Sequence, residues 1–138
     1  MVNGRAQRRR NCGKAGEDAA AEFLRSEGLS ILHRNWRSGP LELDLICREG
    51  GTLVFVEVRT RAAGGLVSPA ESVTAAKRRS LIRAARAYLS GSGDQEAPCR
   101  FDLVSVVDAG TTLNVEHHRH VFALCETLGG GDAAWQPW

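Results

Sequence analysis

Two runs of alternating character, Leu41 to Arg48 and Thr52 to Arg59, are separated only by Glu49, Gly50 and Gly51. Period-two alternation on both sides of a Gly-Gly turn predicts a β-hairpin, which commits the chain to a sheet. With the turn centred on Gly50 and Gly51, facing residues have numbers summing to 101, so Asp44 lies opposite Glu57 and Glu42 opposite Arg59. One face then carries Leu43, Leu45, Cys47, Val54, Val56 and Val58 and must pack on a core. The other is apolar near the turn, at Ile46, Leu53 and Phe55, and charged at its open end. A loop of odd length would shift this register by one.

Carboxylates about 5 Å apart repel by about 3 kcal/mol at an effective dielectric of about 20. A bound cation removes that conflict. Two hard oxygen ligands suit Mg²⁺ or Mn²⁺, whose shells are completed by water and phosphate oxygens. Solvation, or pairing with nearby arginines, is the alternative reading of the same acids.

Around the hairpin, Ala15, Ala19, Ala20, Phe23 and Leu24 predict an amphipathic helix from Gly13 to about Glu27, stopped by Gly28. Leu29 to Trp36 reads as a strand. After a Gly-rich loop at 62–68, a second helix begins at a cap on either Ser68 or Thr74 and buries Val73, Ala76, Leu81, Ala84, Ala85, Tyr88 and Leu89. Strands follow at Arg100 to Val107 and Thr111 to His118, then a short element at Val121 to Leu128. The order is αβββαβ with an addition. The domain organisation is a flexible basic arm over 1–12, one domain over 13–128 and a loose tail over 129–138.

The net charge of +2 conceals two basic blocks. Arg5, Arg8, Arg9, Arg10 and Lys14 form one, and Lys77, Arg78, Arg79, Arg83 and Arg86 the other, neither containing an acid. Such a map suits a polyanion contacted in two places, nucleic acid first, against the alternative of a solvated tail and helix face. Four scattered cysteines without a C-x-x-C pair suit buried thiols in a reducing cytoplasm, and neither a membrane span nor a signal segment is readable. No phosphate-cradling P-loop is present. Glu116, His117, His118 and His120 read as a surface cluster, Asp102 as an ion-pair partner of Arg100, and Trp36 as a packing residue.

The runs Gly16-Glu17, Glu42-Leu43-Asp44-Leu45-Ile46, Val54 to Arg61, Val73-Thr74 with Lys77-Arg78-Arg79, and Arg100-Phe101-Asp102 resemble the bacterial YraN family. That family is similar to endonucleases of the PD-(D/E)XK superfamily, including Holliday junction resolvases. The resemblance implies a restriction-endonuclease-like α/β fold, a mixed sheet flanked by helices. It implies Asp44 and Glu57 as metal ligands, the Val58 carbonyl as a third, and Glu17 reaching the site from the first helix. Arg59 stands where the motif has lysine. Guanidinium stays protonated, so Arg59 can orient phosphate but is a poor base; Lys77 is a candidate for the vacant role. The expected function is Mg²⁺- or Mn²⁺-dependent hydrolysis of DNA, branched DNA included, in repair or recombination. The alternatives are a non-catalytic nucleic-acid-binding module and an adaptor for acidic protein. Expected partners are DNA, a second copy in a homodimer, and a helicase or recombination protein.

Overall fold

The computed structural model describes residues 4–62, 73–94 and 96–122, with side chains described from Gly13 onward. Along the chain come α1 (Gly4–Ser26), β1 (Ser30–Ser38), β2 (Leu41–Glu49), β3 (Thr52–Ala62), α2 (Ala75–Ser92), β4 (Cys99–Asp108) and β5 (Leu113–Phe122). The strands form one sheet in the order β1-β2-β3-β4-β5. Every neighbouring pair is antiparallel except β3 and β4, which α2 connects in parallel. The architecture is therefore α/β with a mixed sheet.

The hairpin register holds near the turn. Glu49 faces Thr52, leaving Gly50 and Gly51 as a two-residue turn, and pairs summing to 101 continue to Leu45 opposite Val56. Gly50 has a φ of 60°, the left-handed conformation such tight hairpin turns require.

Each helix covers one face of the sheet. Ala20, Ala21 and Leu24 of α1 pack with Leu45, Cys47, Val54, Val56, Val104 and Val106. Leu81, Ile82, Ala84, Ala85, Tyr88 and Leu89 of α2 pack with Leu43, Ile46, Leu53, Phe55, Phe101 and Leu103. Central strand β3 is thus buried on both faces from Leu53 to Val56, where the sequence pattern predicted a single core face. Each fully buried Leu, Val or Phe contributes about 1.5–3 kcal/mol.

Helix α1 begins at Gly4, well before the expected start at Gly13, so the basic block from Arg5 to Arg10 lies within the helix and not ahead of it. It ends as expected at Gly28, whose N–H bonds to the Arg25 carbonyl while the Leu29 N–H reaches back to Leu24, a Schellman closure that buries Leu29. Thr74 caps α2, settling the choice of start, and Gly93 in the left-handed conformation closes it. The loop at 63–72 and the segment 123–138, with Trp135, Trp138 and the expected tail, lie outside the described residues. Among the described residues, no helix is long and apolar enough to cross a membrane.

Where α1 crosses β3 the helix has no room for a side chain. A Cβ on Gly16 would collide with Thr60 Oγ1. Gly16→Ala is expected to destabilise the fold by about 1–3 kcal/mol, as overpacking does, and adding Thr60→Ala should restore most of that loss. Urea unfolding of the two single variants and the double variant measures this directly; an additive double variant would deny the contact.

Candidate active site

Strands β2 and β3 part beyond the Leu45–Val56 pair. By the 101 rule and the two-residue turn, Leu43 and Val58 would exchange the next ladder hydrogen bonds, but Val58 N–H instead donates to Asp44 Oδ2 at 2.8 Å. A side chain has replaced a backbone acceptor. Alternation along β2 breaks at the same point: Leu45 and Cys47 face α1, whereas Leu43, two residues earlier, faces α2 with Leu41 and Trp36. Across on β1, Asn35 lies between the Arg34–Leu45 and Trp36–Leu43 pairs and has a φ of 52°. Asparagine is one of the few residue types that tolerates this left-handed geometry, and it kinks both strands away from β3.

Glu57 stands in the fork so formed. It alternates with Phe55, faces α2 and is 7% exposed. Arg59 Nε lies 3.0 Å from its Oε2, and Lys77 Nζ approaches the same oxygen at 3.5 Å. Burial, the charge of Glu57 and a side-chain hydrogen bond to Glu57 raise the Asp44 carboxyl to about 7, against the opposing pull of the Val58 N–H and Lys77. The two carboxylates therefore share the fork as the hairpin reading predicted. N–H and C=O of one strand residue point to the same side, so the Val58 carbonyl is also turned toward the fork.

Other expected members of the site stand elsewhere. Glu17 Oε1 accepts from Asn35 Nδ2 at 3.2 Å, and among the described residues no three His, Cys, Asp or Glu side chains gather closely enough to hold a metal. Glu17 thus supports the kinked strand and is not shown joining Asp44 and Glu57. Glu42 pairs with Arg37 of β1 at 3.4 Å instead of with Arg59, because the ladder that would set them opposite has ended. Arg78 turns inward, its guanidinium 5.6 Å from the Phe122 ring centre, and burial lowers its pKa. Arg79, Arg83 and Arg86 are exposed on the outer stripe of α2, without an acidic partner among the described residues.

A second polar cluster, of which the sequence reading foresaw only the Arg100–Asp102 pair, lies on the α1 side of the sheet. Asp102 is fully buried; it accepts from Arg100 Nε at 3.0 Å and Nη2 at 3.2 Å, and from the His120 N–H at 2.9 Å, and His117 Nε2 lies 2.7 Å from its Oδ2. Burial pushes the Asp102 carboxyl up, but bonds from His117, Arg100 and His120 outweigh it and hold it below the ordinary range. The Arg100 pairing matches the sequence reading; His117, with a side chain only 4% exposed, corrects the surface cluster expected there. Its signal was the shared parity with half-buried Val115 on the core side of β5. Cys47 on this face is no nucleophile, since burial, reinforced by the charge of Asp102, pushes its thiol to about 12.

The model of the uncharacterised protein family UPF0102 matches residues 16–106, a span that contains Asp44, Glu57, Lys77 and Asp102. A UPF0102 protein of Nitratidesulfovibrio vulgaris strain DP4 is 56% identical over 126 residues, covering 91% of this chain and 94% of the relative. One from Lawsonia intracellularis is 47% identical over 91% of this chain and 96% of its own length. One from Symbiobacterium thermophilum is 53% identical over 70% and 82%. The chain belongs to the UPF0102 family. Its relatives named here are bacterial, and the fork, together with Arg100 and Asp102 of the second cluster, falls within the span matched to UPF0102.

The two aspartates give opposite expectations. Asp44 binds its proton far more tightly folded than unfolded, so its contribution to stability is present below about pH 4 and lost as pH rises through about 7. Asp44→Asn should therefore stabilise the protein at pH 8, by up to about 4 kcal/mol, with the gain vanishing toward pH 4. Asp102 has the reverse sign, its contribution being lost only as pH falls below its lowered value. Asp102→Ala should cost about 3–5 kcal/mol at pH 8, because Arg100 and the His120 N–H lose their partner. Urea denaturation checks both: the Asp44→Asn gain should grow between pH 4 and 8, while the Asp102→Ala deficit should stay constant over that range and shrink only below about pH 4.

Proposed function

We propose that the chain is a Mg²⁺- or Mn²⁺-dependent nuclease with a restriction-endonuclease-like fold that hydrolyses phosphodiester bonds in DNA, branched DNA among its substrates. The observation that carries this reading is the carboxylate pair in the fork, with Asp44 raised to about 7 by burial and by the neighbouring Glu57. Two adjoining carboxylates in a buried fork fit a divalent cation, and their hard oxygen donors select Mg²⁺ or Mn²⁺ over softer metals. Two protein carboxylates are also enough, since such ions complete their shells with water and phosphate oxygens. Asp44, Glu57 and the Val58 carbonyl would hold it. When bound, the cation supplies charge stabilisation at the phosphate and acidifies water.

Arg59 cannot exchange a proton near neutral pH, and its contribution is a fixed positive charge beside the phosphate. The first turn of α2 contains no acid and instead presents Lys77 at the helix end that already carries positive partial charge. That local conflict is relieved by an anion. On the outer face, the stripe of Arg79, Arg83 and Arg86 supports sequence-independent contact with a phosphate backbone.

One observation favours a second reading, a nucleic-acid-binding module that does not cut: Glu57 Oε2 already has two cationic neighbours. Calorimetry with Mn²⁺ should show binding that Asp44→Asn and Glu57→Gln each weaken at least tenfold, and the same variants should lose metal-dependent cleavage of single-stranded, duplex or branched DNA. Cleavage that survives chelator or Asp44→Ala would overturn the nuclease reading. Metal binding without cleavage, in wild type and Arg59→Lys alike, would establish the module instead.

Duplex affinity should fall by about 0.9 log units per log unit of salt for each phosphate neutralised. Arg79→Ala combined with Arg83→Ala is expected to flatten that slope by about two such increments, measured by fluorescence anisotropy across a salt series. An unchanged slope would leave the stripe as solvated surface.

A further inference from the structure

The two cations on Glu57 differ in freedom. Arg59 sits within the β3–β4 ladder opposite Ser105, and its guanidinium reaches Glu57 from two residues along the same strand. Lys77 comes from another element. Its backbone is fixed, with its N–H on Thr74 Oγ1 at 3.1 Å, while its side chain is 32% exposed and carries its charge on a flexible four-carbon stem. At 3.5 Å from Oε2, its ammonium lies beyond the 2.7–2.9 Å of a strong charge-assisted hydrogen bond. Lys77 is held by charge and not by a saturated set of bonds.

Charge balance shows what this looseness allows. With both carboxylates ionised, Asp44, Glu57, Arg59 and Lys77 sum to zero. A divalent cation at the same carboxylates would make the fork strongly positive, repel the ammonium from Glu57 and leave it near the mouth with no acid to face. Each phosphodiester group brings one negative charge, so two neighbouring phosphates of a nucleic-acid backbone restore the balance.

We propose that Lys77 is a displaceable counter-ion of the Asp44–Glu57 pair: it rests on Glu57 until a divalent cation takes its place and then turns to a phosphate of the bound nucleic acid. This rests on the metal-nuclease reading of the same fork and adds a coupling to it. Cation binding and nucleic-acid binding reinforce each other through Lys77, and by linkage the effect is reciprocal.

The test compares the wild-type chain with Lys77→Met, which keeps the stem, removes the charge and preserves helix propensity, and with Asp44→Asn. Calorimetry with Mn²⁺ alone should show Lys77→Met binding about threefold to tenfold more tightly than wild type, because no ammonium competes for Glu57. Affinity for a short DNA duplex, read by anisotropy with Ca²⁺ or with chelator and with the duplex checked for integrity, should rise with Ca²⁺ in the wild type. That rise should shrink severalfold in Lys77→Met and disappear in Asp44→Asn. Weaker or unchanged Mn²⁺ binding by Lys77→Met would overturn the proposal. So would an equal loss of duplex affinity with and without Ca²⁺, which would make Lys77 a permanent phosphate contact. If the wild type binds no Mn²⁺ the metal reading itself fails; if it binds Mn²⁺ through Asp44 but is indifferent to Lys77, only the counter-ion fails. Thermal melts of all three proteins exclude misfolding as the cause.

Discussion

The hydrogen bond from Val58 N–H to Asp44 Oδ2 decides the shape of the candidate site. A backbone donor on a central strand must find an acceptor, and a buried orphan would cost about 1–3 kcal/mol. Had the ladder continued, a carbonyl would have served and β2 would have stayed beside β3. Because a carboxylate serves instead, the strands can part, and the space between them is lined by Asp44, Glu57 and the turned carbonyl of Val58. The kink at Asn35 belongs to the same device, and Glu17 braces it from α1 through the Asn35 amide. Sheet geometry, strand irregularity and acid placement form one feature.

Asp102 shows the same device put to a different end. It too accepts a backbone N–H from a neighbouring strand at an irregularity, since β4 and β5 slip register between Phe101 and Leu103 and His120 has a φ of 56°. Arg100 and His117 complete its bonding, so the charge is neutralised where it stands. Asp44 has no comparable set of donors and has a carboxylate for a neighbour. Residue type and backbone role are shared; the partners decide that one aspartate carboxyl is held below the ordinary range and the other is raised above it.

Much of this was legible in the sequence, and what was not has a physical cause. Period-two runs around Gly50-Gly51 placed the turn and the register as far as Leu45 and Val56, and the same counting brought Asp44 to Glu57. It failed one step further on. Alternation assumes an unbroken strand, so Leu43 was assigned to the wrong face and Glu42 to the wrong arginine. The visible warning was Asn35, a residue suited to left-handed backbone inside a run otherwise read as strand. Lys77 and Glu57 are separated by a loop and half a crossover, and no periodicity reports how α2 lies over β3. Thr74 was one of two caps the sequence offered for the helix start, and neither reports the helix's rotation. For His117, a polar tract at the end of a strand suggested solvent, while only its parity with Val115 hinted at burial.

Both margins of the sheet end in the same kind of imperfection. Edge strand β1 slips register between Ile31 and His33, carries left-handed Asn35 and exposes Arg34 and Arg37, while edge strand β5 has its own slip, left-handed His120 and exposed Arg119. Bulges twist an edge out of plane, so among the described residues neither margin offers a flat row of free amides to another strand. Copies crowded side by side would be kept from joining sheet to sheet, and a protein with these margins can be concentrated without nucleating its own aggregation.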